Sequence, residues 1–239
     1  LTASSVEDKS RIIRRKLDKD RFIKAKAIGK LQEATINDLM LAFYIRALYQ
    51  IGDYNPKSPL TVPCMVDLRR HIKEGGAKSG LANHTGFMPC SVKECGKTIN
   101  DTLIEVLRSV KRSKRDRFMG LYSLPLLKLA YTVLPHFISE VAIKIGYDNP
   151  LLGMSNIGVL DADKLRLGNA TLVDCFMTGA VKYKPYMQLA LTTFKDTITM
   201  TVAIKGNDED QKTVNRFFDY LIKNVDDYIE QNKEVPQPN

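Results

Sequence analysis

One stretch of the sequence, residues 34–48, constrains the fold more than any other. Its letters, ATINDLMLAFYIRAL, place apolar residues on nearly every face of a helix, and only Arg46 interrupts them. Thr35 can cap this helix, and Asp38, three residues later, completes the pattern of a capping box. A helix that is apolar all round must be buried on most sides, and a membrane span needs about 20 apolar residues. The sequence therefore predicts a core helix at about 35–51, with the rest of the chain packed around it.

The composition is that of a globular protein with ample material for a core, since 44% of the 239 residues are hydrophobic and 26% are charged. A net charge of +9 favours anionic partners in general. The basic residues are spread along the chain, apart from runs at 11–15 and 111–117, and aromatic residues do not interleave with them as a base-stacking surface requires. We therefore expect no nucleic-acid partner.

The cysteine pattern and the first residues bound the location and the limits of the chain. The four cysteines have neither Cys-x-x-Cys spacing nor a set of His partners, so we expect reduced thiols and no metal site. No signal peptide is visible, which predicts a cytoplasmic protein. Because Leu1 rather than Met opens a polar run, we expect a piece of a longer protein. Residues 1–10 would then be a linker or a cut terminus, 11–230 one lobe, and 231–239 a tail.

Hydrophobic periodicity and turn residues predict an alternation of strands and helices. Pro125 and Pro135 break the apolar stretch 121–145 into helical pieces. The predicted order is strand 11–17, helix 19–32, core helix 35–51, strands 60–67 and 81–92, helix 98–118, helical pieces in 121–145, strand 151–160, an antiparallel meander of strands 170–183, 186–195 and 198–205, and helix 208–229. This order predicts an α+β fold with a mixed, largely antiparallel sheet packed with helices.

Short motifs in this order resemble those of the chloramphenicol-acetyltransferase-like (CAT-like) superfamily, which includes condensation domains, alcohol acetyltransferases and the wax ester synthase/diacylglycerol acyltransferase group. Residues 37–42, NDLMLA, resemble the Asn-Asp-Val-Val-Leu-Ala motif of the wax ester synthase group. Residues 62–69, VPCMVDLR, resemble a Pro-Val-Asp-Leu-Arg strand end. Residues 155–158, SNIG, resemble the Ser-Asn-Val/Thr-x-Gly crossover segment, although no Pro follows Gly158. Asp174 opens a segment that lies where plant-type acyltransferases carry Asp-Phe-Gly-Trp-Gly.

The catalytic motif of that superfamily, His-His-x-x-x-Asp-Gly, is absent from this sequence. Its second His is the general base, and none of His71, His84 and His136 has a neighbouring His or an Asp-Gly at the required spacing. In the superfamily the motif lies in the first of two similar lobes, which meet at a solvent tunnel. The resemblance therefore implies that this chain is the C-terminal lobe alone, with no catalytic residue and no activity of its own, and that its partner is the N-terminal catalytic lobe of the same protein.

The resemblance also implies the reaction. The complete protein would be a transferase that moves an acyl group from coenzyme A, or from a carrier-bound pantetheine thioester, to an alcohol or amine on a small-molecule or lipid acceptor. The residues that would line the tunnel are Ser155, Asn156, Asn83 and His84. Ser155 and Asn156 would either donate hydrogen bonds to the acyl carbonyl or bond locally at a strand bulge, and His84 would either touch substrate or be an ordinary surface or core histidine.

A structural ion pair is expected between Arg69 and Asp174, because the related plant enzymes keep an Arg–Asp pair at the corresponding loop. A lobe separated from its partner would also leave one side of strand 151–160 open, so homo-oligomerisation through that face is expected. Two other functions stay open. One is a non-catalytic binding or interface module with the same fold, and the other is a basic protein that associates with the membrane periphery through 121–145.

Overall fold

The structure, a computed structural model, describes residues 6–52, 54–71, 84–121, 123–146, 150–165 and 168–233. Within these ranges the chain forms one seven-stranded sheet and six α-helices, which confirms the predicted α+β class. The elements in chain order are β1 (Lys9–Leu17), α1 (Lys19–Leu31), α2 (Ile36–Gly52), β2 (Leu60–Asp67), β3 (Thr85–Val92), α3 (Ile99–Arg115), α4 (Ser123–Val133), α5 (His136–Gly146), β4 (Leu152–Leu160), β5 (Lys182–Tyr183), β6 (Met187–Phe194), β7 (Thr197–Gly206) and α6 (Asp208–Gln231).

The sheet has the strand order β1-β7-β6-β4-β2-β3, with the short β5 paired to β7. The pairs β1–β7, β6–β7 and β2–β3 are antiparallel, whereas β4 is parallel to both of its neighbours, β2 and β6. The sheet is therefore mixed, as predicted, and antiparallel pairing accounts for most of its ladder residues. The central strand β4 is the point at which the two antiparallel halves of the sheet are joined.

The helix α2 is the core of the lobe, as its sequence predicts. Every residue from Leu39 to Ile45 is at most 1% exposed. The ring of Phe43 meets Tyr228 edge-on at 5.6 Å, and Tyr44 meets Phe217 at 5.6 Å, both partners being on α6. Because helices cover α2 on one side and the sheet lies on the other, no face of it is left for polar residues.

Arg46, the one charged residue within this apolar stretch, binds backbone oxygens instead of a carboxylate. Its guanidinium donates to the carbonyl of Lys97 at 2.7 Å, to that of Thr98 at 2.9 Å and to the hydroxyl of Thr102 at 3.0 Å. Five donors in a fixed planar fork suit such a set of acceptors. Arg46 thereby fixes the start of α3 against the middle of α2.

The predicted meander of three strands is partly wrong. Of the predicted strand 170–183, Lys182–Tyr183 pairs with β7 and Ala170 forms an isolated bridge. The preceding residues run over the sheet face opposite the helices, where the Met177 amide donates to Thr192 Oγ1 at 2.8 Å and the Thr201 hydroxyl donates to the Met177 carbonyl at 2.9 Å. The segment therefore satisfies its backbone on threonine side chains, which alternation in the sequence cannot distinguish from a strand ladder. The β6–β7 hairpin, with its turn at Lys195–Asp196, is as predicted.

A buried cluster of three charged side chains fixes the two ends of the lobe. The Lys184 ammonium lies 3.0 Å from Asp8 and 2.9 Å from Asp210, and all three side chains are buried. This cluster joins the residues before β1 to the first turn of α6.

The apolar stretch after α3 forms two helices separated at Leu134–Pro135, as the prolines predict. Within the described ranges, neither these two helices nor any other is both long and apolar enough to pass through a bilayer.

Candidate functional site

The first turn of α2 is closed by the capping box that the sequence predicts. Thr35 Oγ1 accepts from the Asp38 amide at 3.2 Å, and Asp38 Oδ2 accepts from the Thr35 amide at 2.9 Å and from the Thr35 hydroxyl at 2.6 Å. Asp38 is only 3% exposed, and its other oxygen, Oδ1, has no hydrogen-bond partner in the described part of the chain. An unpaired carboxylate oxygen in the interior costs free energy, which draws attention to this end of α2.

Two of the motifs that carry the family resemblance meet at this same helix end. Asn156 Nδ2 donates to Asn37 Oδ1 at 3.2 Å, across 119 positions of sequence. Asn156 Oδ1 accepts from the Gly158 amide at 2.9 Å, where the register of β4 shifts and Gly158 adopts a φ of 83°. Both ends of the Asn156 amide are thus engaged. This geometry is the local bonding at a strand bulge that was one of the two alternatives for this residue.

Ser155 and Asn156 lie on opposite faces of the sheet, because successive side chains of a strand alternate. Asn156 is in register with Leu191, on the face covered by helices, whereas Ser155 is in register with Ala190, on the opposite face. Ser155 is half-buried and makes no side-chain hydrogen bond with any described residue. Ser155 and Asn156 are adjacent in the sequence motif, but the structure places them on opposite faces of the sheet.

Two thiols are buried beside this cluster and are not nucleophiles. Burial raises the pKa of Cys64 to about 12, while a hydrogen bond with Asn37 and, less strongly, the Lys114 charge oppose the rise. Burial likewise raises the pKa of Cys90 to about 12. A thiol attacks as its thiolate, and at neutral pH both groups are protonated. They serve as apolar residues under the start of α2.

A groove of about 740 Å³ lies beside the capping box, between the α1–α2 turn and the last turns of α3. We refer to it as the cation-lined groove, and its lining residues are Gln32, Glu33, Thr35, Asp38, Ile104, Leu107, Arg108, Val110, Lys111, Lys114 and Arg115. Arg108 forms an ion pair with Glu105. Lys111, Lys114 and Arg115 have no ion pair or side-chain hydrogen bond with any residue that the structure describes. Three unpartnered cations at one end of the groove favour an anionic ligand there.

The basic run 111–117 is visible in the sequence, but no sequence pattern indicates that it lies in a binding site. Cations in the last turn of α3 also complement the helix dipole, and that structural role accounts for them without a ligand. The sequence does not predict that the α1–α2 turn lies close to the end of α3. The helical spacing of Leu107, Lys111 and Arg115, on one face of α3, is the one pattern that could have indicated it.

The remaining predicted site residues lie elsewhere. His84 is half-buried just before β3, and its carbonyl accepts from the Leu68 amide at 2.8 Å across the end of β2. The backbone amide of Arg69 is the main cause that lowers the pKa of Asp67 at this strand end, and the His84 charge is a minor one. Asn83 falls outside the described residues. The structure thus brings Asn156 to the start of α2, and His84 to the β2–β3 end of the sheet.

The predicted ion pair between Arg69 and Asp174 is wrong. Asp174 lies 2.8 Å from Lys16 and 3.5 Å from Arg14, both on β1. Arg69 lies 3.3 Å from Asp67 at the end of β2. The error follows from the topology, because the segment that contains Asp174 crosses the β1 side of the sheet, whereas β2 lies four positions away in the strand order.

The far end of β4 is exposed in the described chain. Met154 is buried beneath the helices, but after the bulge Ile157 is 51% exposed and Val159 is 75% exposed. This apolar strand end follows directly on the Asn37–Asn156 contact. The strand is central in the sheet, yet the described residues do not cover it along its whole length.

Comparisons with known proteins identify the fold. No protein-family model matches this sequence, and no curated protein matches it. Among solved structures, the epimerization domain from the third module of tyrocidine synthetase B matches 97% of this chain with a TM-score of 0.62 and 13% identity, over 52% of its own length. A trichothecene 15-O-acetyltransferase from Fusarium sporotrichioides matches 90% with a TM-score of 0.61 and 14% identity, over 47% of its own length. The wax ester synthase/diacylglycerol acyltransferase from Marinobacter aquaeolei matches 95% with a TM-score of 0.56 and 17% identity, over 50% of its own length.

This chain therefore has the CAT-like fold of condensation domains and acyltransferases, as the motifs predict. It spans about half the length of the solved relatives it matches. At these identities the similarity establishes the fold alone, and the chemistry must be argued from the residues of this chain.

Proposed function

We propose that residues 11–230 are the C-terminal lobe of a two-lobed acyltransferase whose N-terminal lobe supplies the general base. The whole protein would move an acyl group from coenzyme A, or from a carrier-bound pantetheine thioester, to an alcohol or amine. The observation that carries this proposal is the meeting of Asn37 and Asn156, from two separate motifs, next to the cation-lined groove. The half-length match to solved two-lobed proteins supports it.

The cationic side chains of the groove suit a phosphate-bearing molecule that carries an acyl group as a thioester. Coenzyme A and carrier-bound pantetheine both bear phosphate, and Lys111, Lys114 and Arg115 offer cations that no described carboxylate neutralises. An arginine fork binds phosphate oxygens in pairs, and lysine acts as a point charge. When bound, the thioester supplies an activated acyl group. The cations of this chain would bind and orient its phosphate end.

Ser155 and Asn156 have different proposed roles. The Asn156 amide is held by Asn37 and Gly158, so we assign it the positioning of α2 against β4. Ser155 keeps a hydroxyl without a described partner on the face opposite the helices, and it remains the proposed donor to a substrate oxygen. Asn83 and His84 remain proposed tunnel-wall positions. The acceptor, a small molecule or a lipid, would lie on the side of the missing lobe.

Calorimetric titration of the chain with coenzyme A tests the groove. The triple variant Lys111→Gln/Lys114→Gln/Arg115→Gln should bind coenzyme A at least tenfold more weakly, because each phosphate contact that is removed weakens the attraction. Pantetheine, which lacks phosphate, should not distinguish the variant from the parent chain. The matched control is Lys212→Gln/Lys223→Gln/Lys233→Gln, whose exposed lysines pair with neighbouring carboxylates. Equal coenzyme A affinity in all three proteins would contradict the assignment of the groove.

An activity assay tests the division of labour between the lobes. The chain alone should release no thiol from acetyl-coenzyme A in the presence of alcohols or amines, because it lacks the His-His-x-x-x-Asp-Gly motif. Addition of the protein segment encoded upstream in the same gene should restore release. Acceptor-dependent release by the chain alone, abolished by His84→Ala, would overturn the proposal.

The second candidate function is a non-catalytic binding or interface module. It is favoured by the same absence of the catalytic motif from this sequence. An upstream segment that lacks the motif, together with coenzyme A binding that leads to no transfer, would select this function instead.

A further inference from the structure

The helices α4 and α5 form a hairpin on which seven of the described apolar side chains face solvent. They follow the last turn of α3 and pack chiefly against each other. Seven apolar side chains around the connection are between 39% and 69% exposed, and we call them the hairpin surface: Leu129, Tyr131, Val133, Leu134, Phe137, Ile138 and Val141. A continuous exposed apolar surface is rare on a soluble monomer and marks a site of interaction.

Basic residues lie at the base of the hairpin and on α4. Arg112 and Arg117 are exposed at the α3 end from which the hairpin starts, and Lys128 is exposed on α4. None of the three has an ion pair with any residue that the structure describes. Phe118, between them in sequence, is 58% exposed. Arg112 and Arg117 do not line the cation-lined groove.

Acidic groups are scarce on the hairpin itself, whereas Asp116 lies beside Arg117 at its base. Glu140 is the one described acidic side chain of the hairpin, and His136 lies 3.7 Å from it. An apolar tip, with cations on α4 and at the base of the hairpin, is the arrangement of elements that lie in a membrane interface, where apolar side chains enter the acyl boundary and cations meet anionic headgroups.

From this arrangement we propose that the hairpin surface docks on a lipid surface that carries anionic headgroups. The apolar side chains enter the interface, and Arg112, Arg117 and Lys128 contact lipid phosphates. Each helix has 11 residues and the break at Leu134–Pro135 separates them, so the hairpin lies in one leaflet. The proposal is independent of the acyl-transfer function, because it uses none of the groove residues.

The absence of tryptophan from this sequence provides a direct assay. Phe137→Trp introduces a single fluorophore at the tip, and its emission should shift to shorter wavelength on vesicles of phosphatidylcholine with phosphatidylglycerol. Brominated acyl chains should quench it. The matched control is Val173→Trp, at an 83% exposed position away from the hairpin, whose emission should not change.

Co-sedimentation separates the apolar and the basic contributions. Val133→Ser/Phe137→Ser should lower the bound fraction on anionic vesicles at least tenfold, whereas Ile12→Ser/Val173→Ser, at exposed positions elsewhere, should leave it unchanged. Arg112→Gln/Arg117→Gln should lower binding to anionic vesicles and remove most of its salt dependence. All of these positions are exposed, so unchanged thermal unfolding serves as the control for folding.

Two results would overturn the proposal. One is that the chain does not bind the phosphatidylcholine/phosphatidylglycerol vesicles, or that the hairpin variant binds them as the parent chain does. The other is that light scattering shows a dimer, that Val133→Ser/Phe137→Ser dissociates this dimer, and that the parent chain does not bind vesicles. That result would mean that protein rather than lipid covers the hairpin surface.

Discussion

The capping boxes of α2 and α3 have the same design, but the same substitution should affect them in opposite directions. In α3, Asp101 Oδ2 accepts from the amides of Thr98 at 2.8 Å and Lys97 at 3.0 Å, and the side chain is exposed. In α2, Asp38 makes the equivalent bonds to Thr35, but it is buried and its Oδ1 is unpaired. We therefore compare Asp38→Asn with Asp101→Asn.

The magnitudes follow from the two environments. At both positions asparagine keeps one oxygen for the cap and loses the charge at the helix N-terminus, which costs about 0.3–1 kcal/mol. At Asp38 the substitution also replaces an unpaired buried charged oxygen by a neutral group. A neutral unsatisfied group costs about 1–3 kcal/mol and a charged one more. We expect the free energy of unfolding to rise by about 1 kcal/mol for Asp38→Asn and to fall by about 0.5–1 kcal/mol for Asp101→Asn.

Urea unfolding at pH 7 measures both values, and thermal unfolding should shift by about 2–4 °C per kcal/mol for a domain of this size. Asp38→Ala provides the third point, because it removes the carboxylate half of the capping box while Thr35 Oγ1 still accepts from the amide of residue 38, and it should lower stability by about 1 kcal/mol. If Asp38→Asn destabilises the chain as much as Asp101→Asn does, Oδ1 has a partner and the argument from its burial fails.

Three further outcomes are expected. Acid should destabilise the chain below about pH 4, because backbone amide bonds lower the pKa of Asp101 in the folded state and the Lys16 contact lowers the pKa of Asp174. The stability that these two carboxylates contribute is present above the unfolded carboxyl pKa and is lost as the pH falls through their folded pKa. Urea midpoints between pH 3 and pH 7 measure this loss, and a flat profile would contradict it. Asp174→Ala should cost less than about 1 kcal/mol, because its ion pair with Lys16 is at the surface, and a loss of several kcal/mol in chemical unfolding would show that it does more. Phe217→Ala should cost about 3–5 kcal/mol, because Phe217 is fully buried and packs edge-on against Tyr44; calorimetry would reveal a smaller loss if the core can collapse onto the cavity.

Local sequence pattern predicts most of this fold. The core helix was expected at about 35–51 and lies at Ile36–Gly52, because an all-apolar helix with a cap has few alternatives. The last helix was expected to begin at 208 and does, since Asn207 and Asp210 close a capping box. The strand predicted at 170–183 fails, because hydroxyl groups on β6 and β7 take the place of a neighbouring strand.

Long-range contacts are the part that pattern cannot supply. The family resemblance identified Asn37 and Asn156 separately, but only the folded chain brings their amides together. Asp174 was paired with the wrong arginine, since nothing in the residues around it specifies that its segment crosses β1. The cation-lined groove likewise depends on the approach of the α1–α2 turn to the end of α3, which α2, β2, β3 and most of α3 separate in sequence.

The β1–β7 ladder has a consequence for how the chain acquires its structure. It pairs Lys9 with Gly206 and Leu17 with Ile198, so its two strands are nearly a whole sequence apart. Closing so large a loop costs entropy before any ladder bond forms, and folds with such contacts form slowly. On a ribosome β1 emerges well before β7 and must wait for it, with Ile13 and Leu17 exposed on an unpaired edge. A nascent chain arrested before residue 206 would therefore offer its first strand to chaperones rather than to its own sheet.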